Sequence, residues 1–290
     1  VDEAVANRIR HCRHAADMPA RFTFTPQAPC ANLLLVKLGD ADVRTTVFQR
    51  DIAMARKVHV ESLPRNFAND TLEFGLAYRH AVGFGGDHAM VHRRKDGRHF
   101  IAVTDVTGHG VAASMMVGRI TTFLQALAPE DADLPAIATR LHKFIAGQFS
   151  PLGMFATAAL LLHDPARRTL EICSAGHPPV IVRDGAATKR VGPTWPLLGI
   201  EGIELPGEAT TTIPFPPGAL AVIHTDGVFE ARDPSSGRFL GLDALERAVA
   251  DIAALPCAEG ARSLADLAER HAQGRLADDA LVAVLRAREG

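Results

Sequence analysis

The chain of 290 residues has few of the features that would place it outside the ordinary globular class. Its cysteines are Cys12, Cys30, Cys173 and Cys257, with no CxxC spacing. That excludes a zinc-finger framework and a disulfide scaffold, and reads as free buried thiols in a reducing cytoplasm. No apolar run approaches the roughly 20 residues a membrane helix needs; the longest, Phe155 to Leu162, suits a buried strand. No signal-peptide pattern is visible. The chain opens on Val1 rather than Met, as a piece of a longer protein would. A formal net charge of -2 supplies no basic field, so nucleic acid is not expected as a partner. One basic run, His92-Arg93-Arg94-Lys95, is followed at once by Asp96-Gly97 and reads as a solvated hairpin turn. There is no internal repeat and no low-complexity segment.

What the chain does have is acids beside short apolar runs. They lie in Gly85-Gly86-Asp87, in Thr104-Asp105-Val106-Thr107-Gly108-His109-Gly110, in Thr225-Asp226-Gly227-Val228 and in Asp278-Asp279. Ile101-Ala102-Val103 leads into the second, Leu220-Ala221-Val222-Ile223 into the third, and Ala280 to Leu285 leads out of the fourth. Carboxylates bordering apolar strands cost free energy unless paired. Acids converging without enough Lys or Arg repel one another unless a cation binds. Oxygen-only ligation suits hard ions, Mg2+ or Mn2+. Two such ions, roughly 3.5–4 Å apart, can orient and acidify a shared water and neutralise a phosphate. Taken singly, each Asp could equally be a turn former or helix cap. The glycines beside them would admit close backbone approach, and Gly227 a sharp turn after Asp226.

The remaining pattern divides the chain at about residues 45 and 68. Residues 1–45 carry no readable chemistry. Phe48, Ile52, Ala55, Val58 and Ser62 recur at helical spacing before Pro64, which predicts an amphipathic helix over 46–63 and a linker over 46–68. Its stripe must bury against the following domain or against a second copy of itself. From residue 69 to 290, runs of adjacent strands interrupted by helix pairs predict an α+β fold, with stacked, mostly antiparallel sheets flanked by helices.

Seven short motifs follow one another in order. They are Gly85-Gly86-Asp87; Thr104 to Ala113; Phe155-Ala156-Thr157; Ser174-Ala175-Gly176-His177-Pro178-Pro179; Pro196-Leu197-Leu198-Gly199; Thr225 to Ala231; and Asp278-Asp279 before the final strand. Each is weak alone. Together they resemble the PPM family of metal-dependent protein serine/threonine phosphatases, in its bacterial SpoIIE/RsbU branch. The resemblance implies a four-layer α-β-β-α sandwich holding two Mn2+ or Mg2+ ions, with room for a third. It implies that Asp87 and Asp105 are shared between the ions and that Asp226 and Asp278 complete one of them. Val106 would contribute its backbone carbonyl, Asp279 stands in reserve for Asp278, and Gly86 and His109 would be accessory. A metal-bridging hydroxide would attack phosphoserine or phosphothreonine directly. The implied substrate is a phosphorylated STAS-domain anti-sigma-factor antagonist or a similar phosphoprotein, met in the cytoplasm in a partner-switching pathway. The helix over 46–63 would be the regulatory element of that branch and a homodimer contact.

The sequence departs from the family pattern at three places. Met90 replaces a second acid after Gly-Gly-Asp. His109 replaces a lysine, and is either a general acid or a solvent-facing helix start. The last motif reads Asp278-Asp279-Ala280-Leu281, without the usual threonine. The alternative readings are a catalytically weak binding module of the same fold and a two-ion phosphodiesterase or nuclease, the latter disfavoured by the missing basic stripe. His88 could reach substrate or face solvent, His177 reads as a turn tie, and Trp195 as a packing anchor.

Overall fold

A computed structural model describes residues 41–81, 85–108, 110–203, 205–207 and 209–289, with side chains from residue 50 onward. His109 and the N-terminal stretch 1–40 lie outside the described residues. The chain divides into two units, 1–50 and 51–290. Of the first, only the start of a helix is described. The second carries the remaining elements.

That helix, α1, is Ala41–Ser62. Strands β1 (Phe67–Ala68), β2 (Leu72–Arg79), β3 (Asp87–Arg93) and β4 (His99–Val106) follow, then helices α2 (Val111–Leu127) and α3 (Leu134–Phe149). Next come β5 (Ala156–Asp164), β6 (Thr169–Ala175), β7 (Val180–Asp184), β8 (Ala187–Val191), β9 (Thr211–Pro214) and β10 (Leu220–His224). The chain closes with α4 (Asp226–Phe229), α5 (Leu242–Asp251), α6 (Cys257–His271) and β11 (Ala280–Ala287). Sheet I has six strands in the order β1-β2-β11-β10-β7-β8, and sheet II has five in the order β3-β4-β5-β6-β9. Every described ladder is antiparallel.

Two-residue periodicity explains the layering. In β4, Phe100 and Ala102 face α2 and α3, while Ile101 and Val103 face sheet I. In β11, Leu281, Ala283 and Leu285 face sheet II, while Ala280, Val282 and Val284 face α5 and α6. Strands apolar on both faces must be covered on both. The helix pairs provide that cover, giving the four-layer α-β-β-α sandwich expected from the sequence. Asp133 caps α3 by accepting from the Ala136 N–H at 2.7 Å, with Pro135 in the first turn.

Three local expectations change. The helix α1 begins at Ala41, and its inner face is Ile52, Ala55, Arg56 and His59, whereas Val58 is 64% exposed. Arg94 is not part of a solvated run. It is buried, donates to the carbonyls of Ala128 (3.1 Å) and Ala132 (3.0 Å), and so satisfies acceptors just beyond the end of α2. The strand β8 was hidden because Ala187-Thr188-Lys189-Arg190 is an exposed polar edge. Trp195 is the anchor expected, buried with its indole N–H on the Ala209 carbonyl at 2.9 Å.

At the far end of sheet II, His99 and His163 are direct cross-strand partners, stacked with ring centroids 5.8 Å apart. Burial pushes both imidazoles down to about 4, and for His99 the neighbouring His163 lowers it further. A folded value below the ordinary 6.5 means the unfolded chain binds the protons first. The stability tied to these rings is therefore full above pH 6.5 and lost as pH falls toward 4. We expect the urea midpoint of metal-free protein to fall less between pH 6.5 and 4.5 in His163→Leu than in the parent chain. Equal falls would show that the pair does not titrate as placed.

Candidate metal centre

Sheet II brings the first two acids together. Asp87 opens β3 and Asp105 lies one residue before the end of β4, and the antiparallel register sets them directly opposite one another. Like charges across a ladder repel. Gly86 makes the local packing possible: a Cβ there would stand 2.8 Å from the Val106 carbonyl oxygen and 3.6 Å from an Asp105 carboxylate oxygen. The Val106 N–H donates to the Gly86 carbonyl at 3.1 Å, so the expected backbone ligand lies on the same turn.

Sheet I supplies the second pair. Asp226 follows β10 as the first residue of α4, and Asp278 stands two residues before β11, the strand paired with β10. Gly227 does not need a left-handed conformation. Its role is close approach, since a Cβ would stand 2.0 Å from the Asp279 carbonyl oxygen and 3.1 Å from that of Asp278. The sharp turn expected from the sequence is thus a tight crossing of two chains. Thr225 ties the sheets together. Its hydroxyl donates to an Asp87 carboxylate oxygen at 2.7 Å and accepts from the Leu281 N–H at 3.0 Å.

These acids raise one another. Asp87 is held well above the usual carboxylate range by burial and then by Asp105, against the lowering effect of the Thr225 hydrogen bond. Asp105 is pushed up to about 8 by burial, then by Asp226 and Asp278. Asp226 is raised by burial, then by Asp278 and Glu230. As placed, no three described His, Cys, Asp or Glu side chains close on a single ion. The donors form a spread set rather than a closed shell. Their chemistry still fits hard divalent ions, being oxygen-only and charged in excess.

Asp278 and Asp279 have different surroundings. Asp279 is buried, and its carboxylate accepts from the N–H groups of Ala81 (2.9 Å) and Gly86 (3.2 Å). Asp278 is exposed and lines a cleft of about 220 Å³ with Asp226, Glu230, Arg232 and Phe239. Two further residues went unread in the sequence. Thr225 was seen only as part of a motif. His59 on α1 is buried, with Nε2 2.8 Å from the Asp87 carbonyl oxygen. Its spacing of seven from Ile52 and four from Ala55 was the available signal. His88 does not face solvent: it is 2% exposed, its ring 6.1 Å from that of His59. His177 is buried with Nδ1 2.7 Å from the Thr157 hydroxyl, on the strand that pairs with Asp105.

Residues 95–288 match the family described as Stage II sporulation protein E (SpoIIE). The chain belongs to the SpoIIE family. It carries a phosphatase domain of the PPM type, in the SpoIIE/RsbU branch. It is 23% identical over 197 residues to the phosphoserine phosphatase RsbP of Bacillus subtilis (strain 168), covering 66% of this chain and 47% of RsbP. The chain therefore spans about half the length of that relative. Among solved structures it resembles the RsbU and RsbW domains of Rv1364c from Mycobacterium tuberculosis, with TM-score 0.66 and 22% identity over 76% of this chain and 61% of that one. It also resembles RsbX in complex with magnesium, with TM-score 0.59 and 18% identity over 77% and 98% of the two chains. Among the described residues no helix is long and apolar enough to cross a membrane.

The two adjacent acids of this SpoIIE domain should separate by experiment. Asp279→Ala strands two backbone N–H groups, so it should cost about 2–4 kcal/mol of folding stability in urea. Asp278→Ala should leave the unfolding free energy in urea within about 0.5 kcal/mol of the parent while weakening Mn2+ binding by calorimetry. The reverse pattern would exchange their roles.

Proposed function

We propose that this chain is a metal-dependent protein serine/threonine phosphatase whose centre is built from Asp87, Asp105, Asp226 and Asp278. The observation that carries this reading is the convergence of raised carboxylates: Asp105, pushed up to about 8 by burial, Asp226 and Asp278, sits across the ladder from Asp87, itself raised by burial and Asp105. Such a set favours protons or a divalent cation over the metal-free ionised state. A bound pair of Mn2+ or Mg2+ ions would neutralise phosphate charge and acidify the attacking water. Asp87 and Asp105 would hold the shared position and Asp226 and Asp278 the outer one, with the Val106 carbonyl as a neutral donor. Thr225 would fix the Asp87 carboxylate. Asp279 would stay structural, holding the turn that carries Gly86.

The substrate we assign is a phosphoserine or phosphothreonine on a signalling protein, a STAS-domain anti-sigma-factor antagonist in a cytoplasmic partner-switching pathway. Family membership and the likeness to RsbP support this assignment. The domain would span 69–290 and the linker 46–68. Met54 and Val58 are 63% and 64% exposed on α1, which favours a self-association surface on that helix.

The catalytically weak binding module has one motive, the Met90 that stands where the family places an acid. Met90 packs in the core between sheet II and the helices, whereas Ala89 of the same strand faces sheet I. By strand parity Asp87 shares the face of Ala89. The substitution therefore removes no group from the Asp87 side.

With Mn2+ added, the chain should hydrolyse p-nitrophenyl phosphate and a phosphoserine protein. Asp105→Asn should lower the rate on the order of a hundredfold or more, about 2.7 kcal/mol of barrier. Undiminished activity in that variant would refute the metal assignment. Tight phosphoprotein binding by the parent chain without turnover would favour the binding module.

A further inference from the structure

The first carboxylate of the centre sits on a strand at the edge of its sheet, and its buried backbone needs a partner from elsewhere. Strand β3 is the edge of sheet II. Successive residues of a strand turn their carbonyls to opposite sides. The Gly86 carbonyl faces β4, where it accepts from the Val106 N–H. The Asp87 carbonyl therefore points away from β4, where no described strand lies, and a buried unpaired carbonyl is costly. His59 of α1 meets it with Nε2 at 2.8 Å. A carbonyl only accepts, so Nε2 carries the proton and donates. The ring is held from several sides. Tyr78 packs edge-on with centroids 5.4 Å apart, and a Cβ on Gly85 would come within 2.9 Å of His59 Cε1. The Ser62 hydroxyl donates to the His59 carbonyl at 2.6 Å.

Resting on the metal-centre reading, we propose that His59 is a positioning residue for Asp87. Its imidazole takes the place of the missing neighbour strand, and so fixes the peptide from which the Asp87 carboxylate projects toward the ions. The carboxylate itself is fixed separately by Thr225 at 2.7 Å. With both grips in place, Asp87 presents its second oxygen in one orientation. Without His59, that peptide is held from the β4 side alone, and the carboxylate loses part of its bearing though all four acids remain.

The test is Mn2+ titration of the full chain by calorimetry, with no substrate present. His59→Leu keeps an apolar filler and removes the donor. His59→Gln restores an N–H at a similar reach. We expect Mn2+ affinity roughly tenfold weaker in His59→Leu and within about threefold of the parent in His59→Gln. Parent-like affinity in His59→Leu would overturn the proposal. Equal weakening in both variants, tracking a loss of thermal stability, would also overturn it, because packing alone would then be the role. Should His59→Leu fail to fold, nitrogen NMR of the parent decides: His59 must be protonated on Nε2, and an Nδ1–H tautomer overturns the assignment. If the parent chain binds no Mn2+ at all, the metal-centre reading falls, and this one with it.

Discussion

The repulsion between Asp87 and Asp105 organises this molecule. Two acids directly opposite on neighbouring strands, both largely removed from water, are an arrangement that folding alone disfavours. Among the described residues no basic side chain is placed between them; the fold adds Asp226 and Asp278 from the other sheet. What it provides instead are geometric constraints. Thr225 donates one hydroxyl to Asp87, Asp279 holds the preceding peptide at Gly86, and His59 holds the carbonyl beyond. Thr225 and His59 fix geometry without adding charge, whereas the Asp279 carboxylate adds to the field on Asp87 and Asp105.

That design requires a stiff support. Strands such as β4 and β11 are packed on both faces, so a shift of either would disturb two apolar layers at once. Two sheets meeting at one edge then set two pairs of acids against each other with little freedom. Close contacts finish the alignment. Gly227 lets α4 lie against the carbonyls of Asp278 and Asp279, and Gly86 does the same for the turn beside Val106. A side chain at either glycine would push apart the chains that carry the acids.

Much of this was legible in the sequence because it depends on short-range pattern. Apolar runs of the right length mark β4, β5, β10 and β11 in the sequence. The acids were visible because each ends or begins such a run. What stayed hidden depends on register and on parity. No sequence pattern states that Asp87 faces Asp105, since that follows from how β3 pairs with β4. Asp278 and Asp279 are equivalent on paper, and only the fold sends one to the backbone of Ala81 and Gly86 and the other to the open cleft. Arg94 looked like part of a charged turn because its acceptors, Ala128 and Ala132, lie more than thirty positions away. His59 was passed over because a polar residue on a helix face counts against an apolar stripe, although its position continued that stripe.

The imidazoles around the centre complete the electrostatic argument. His59, His88, His177 and His224 are buried, and burial depresses all four, to about 4 for His88 and His224 and about 3 for His177. Charged, any of them could have neutralised a nearby carboxylate. Kept neutral near pH 7, they serve as hydrogen-bond partners and packing, and contribute no positive charge. The negative charge of the acids is then left for protons or for an ion from solution. Because protons and a divalent ion compete for the same oxygens, each proton lost from Asp105 as pH rises toward 8 increases the field available to the ion. Burial thus acts on both kinds of residue in the same direction. It disfavours the charged form of the acids and of the histidines alike, and a divalent cation is the partner that relieves the acids without requiring the histidines to ionise.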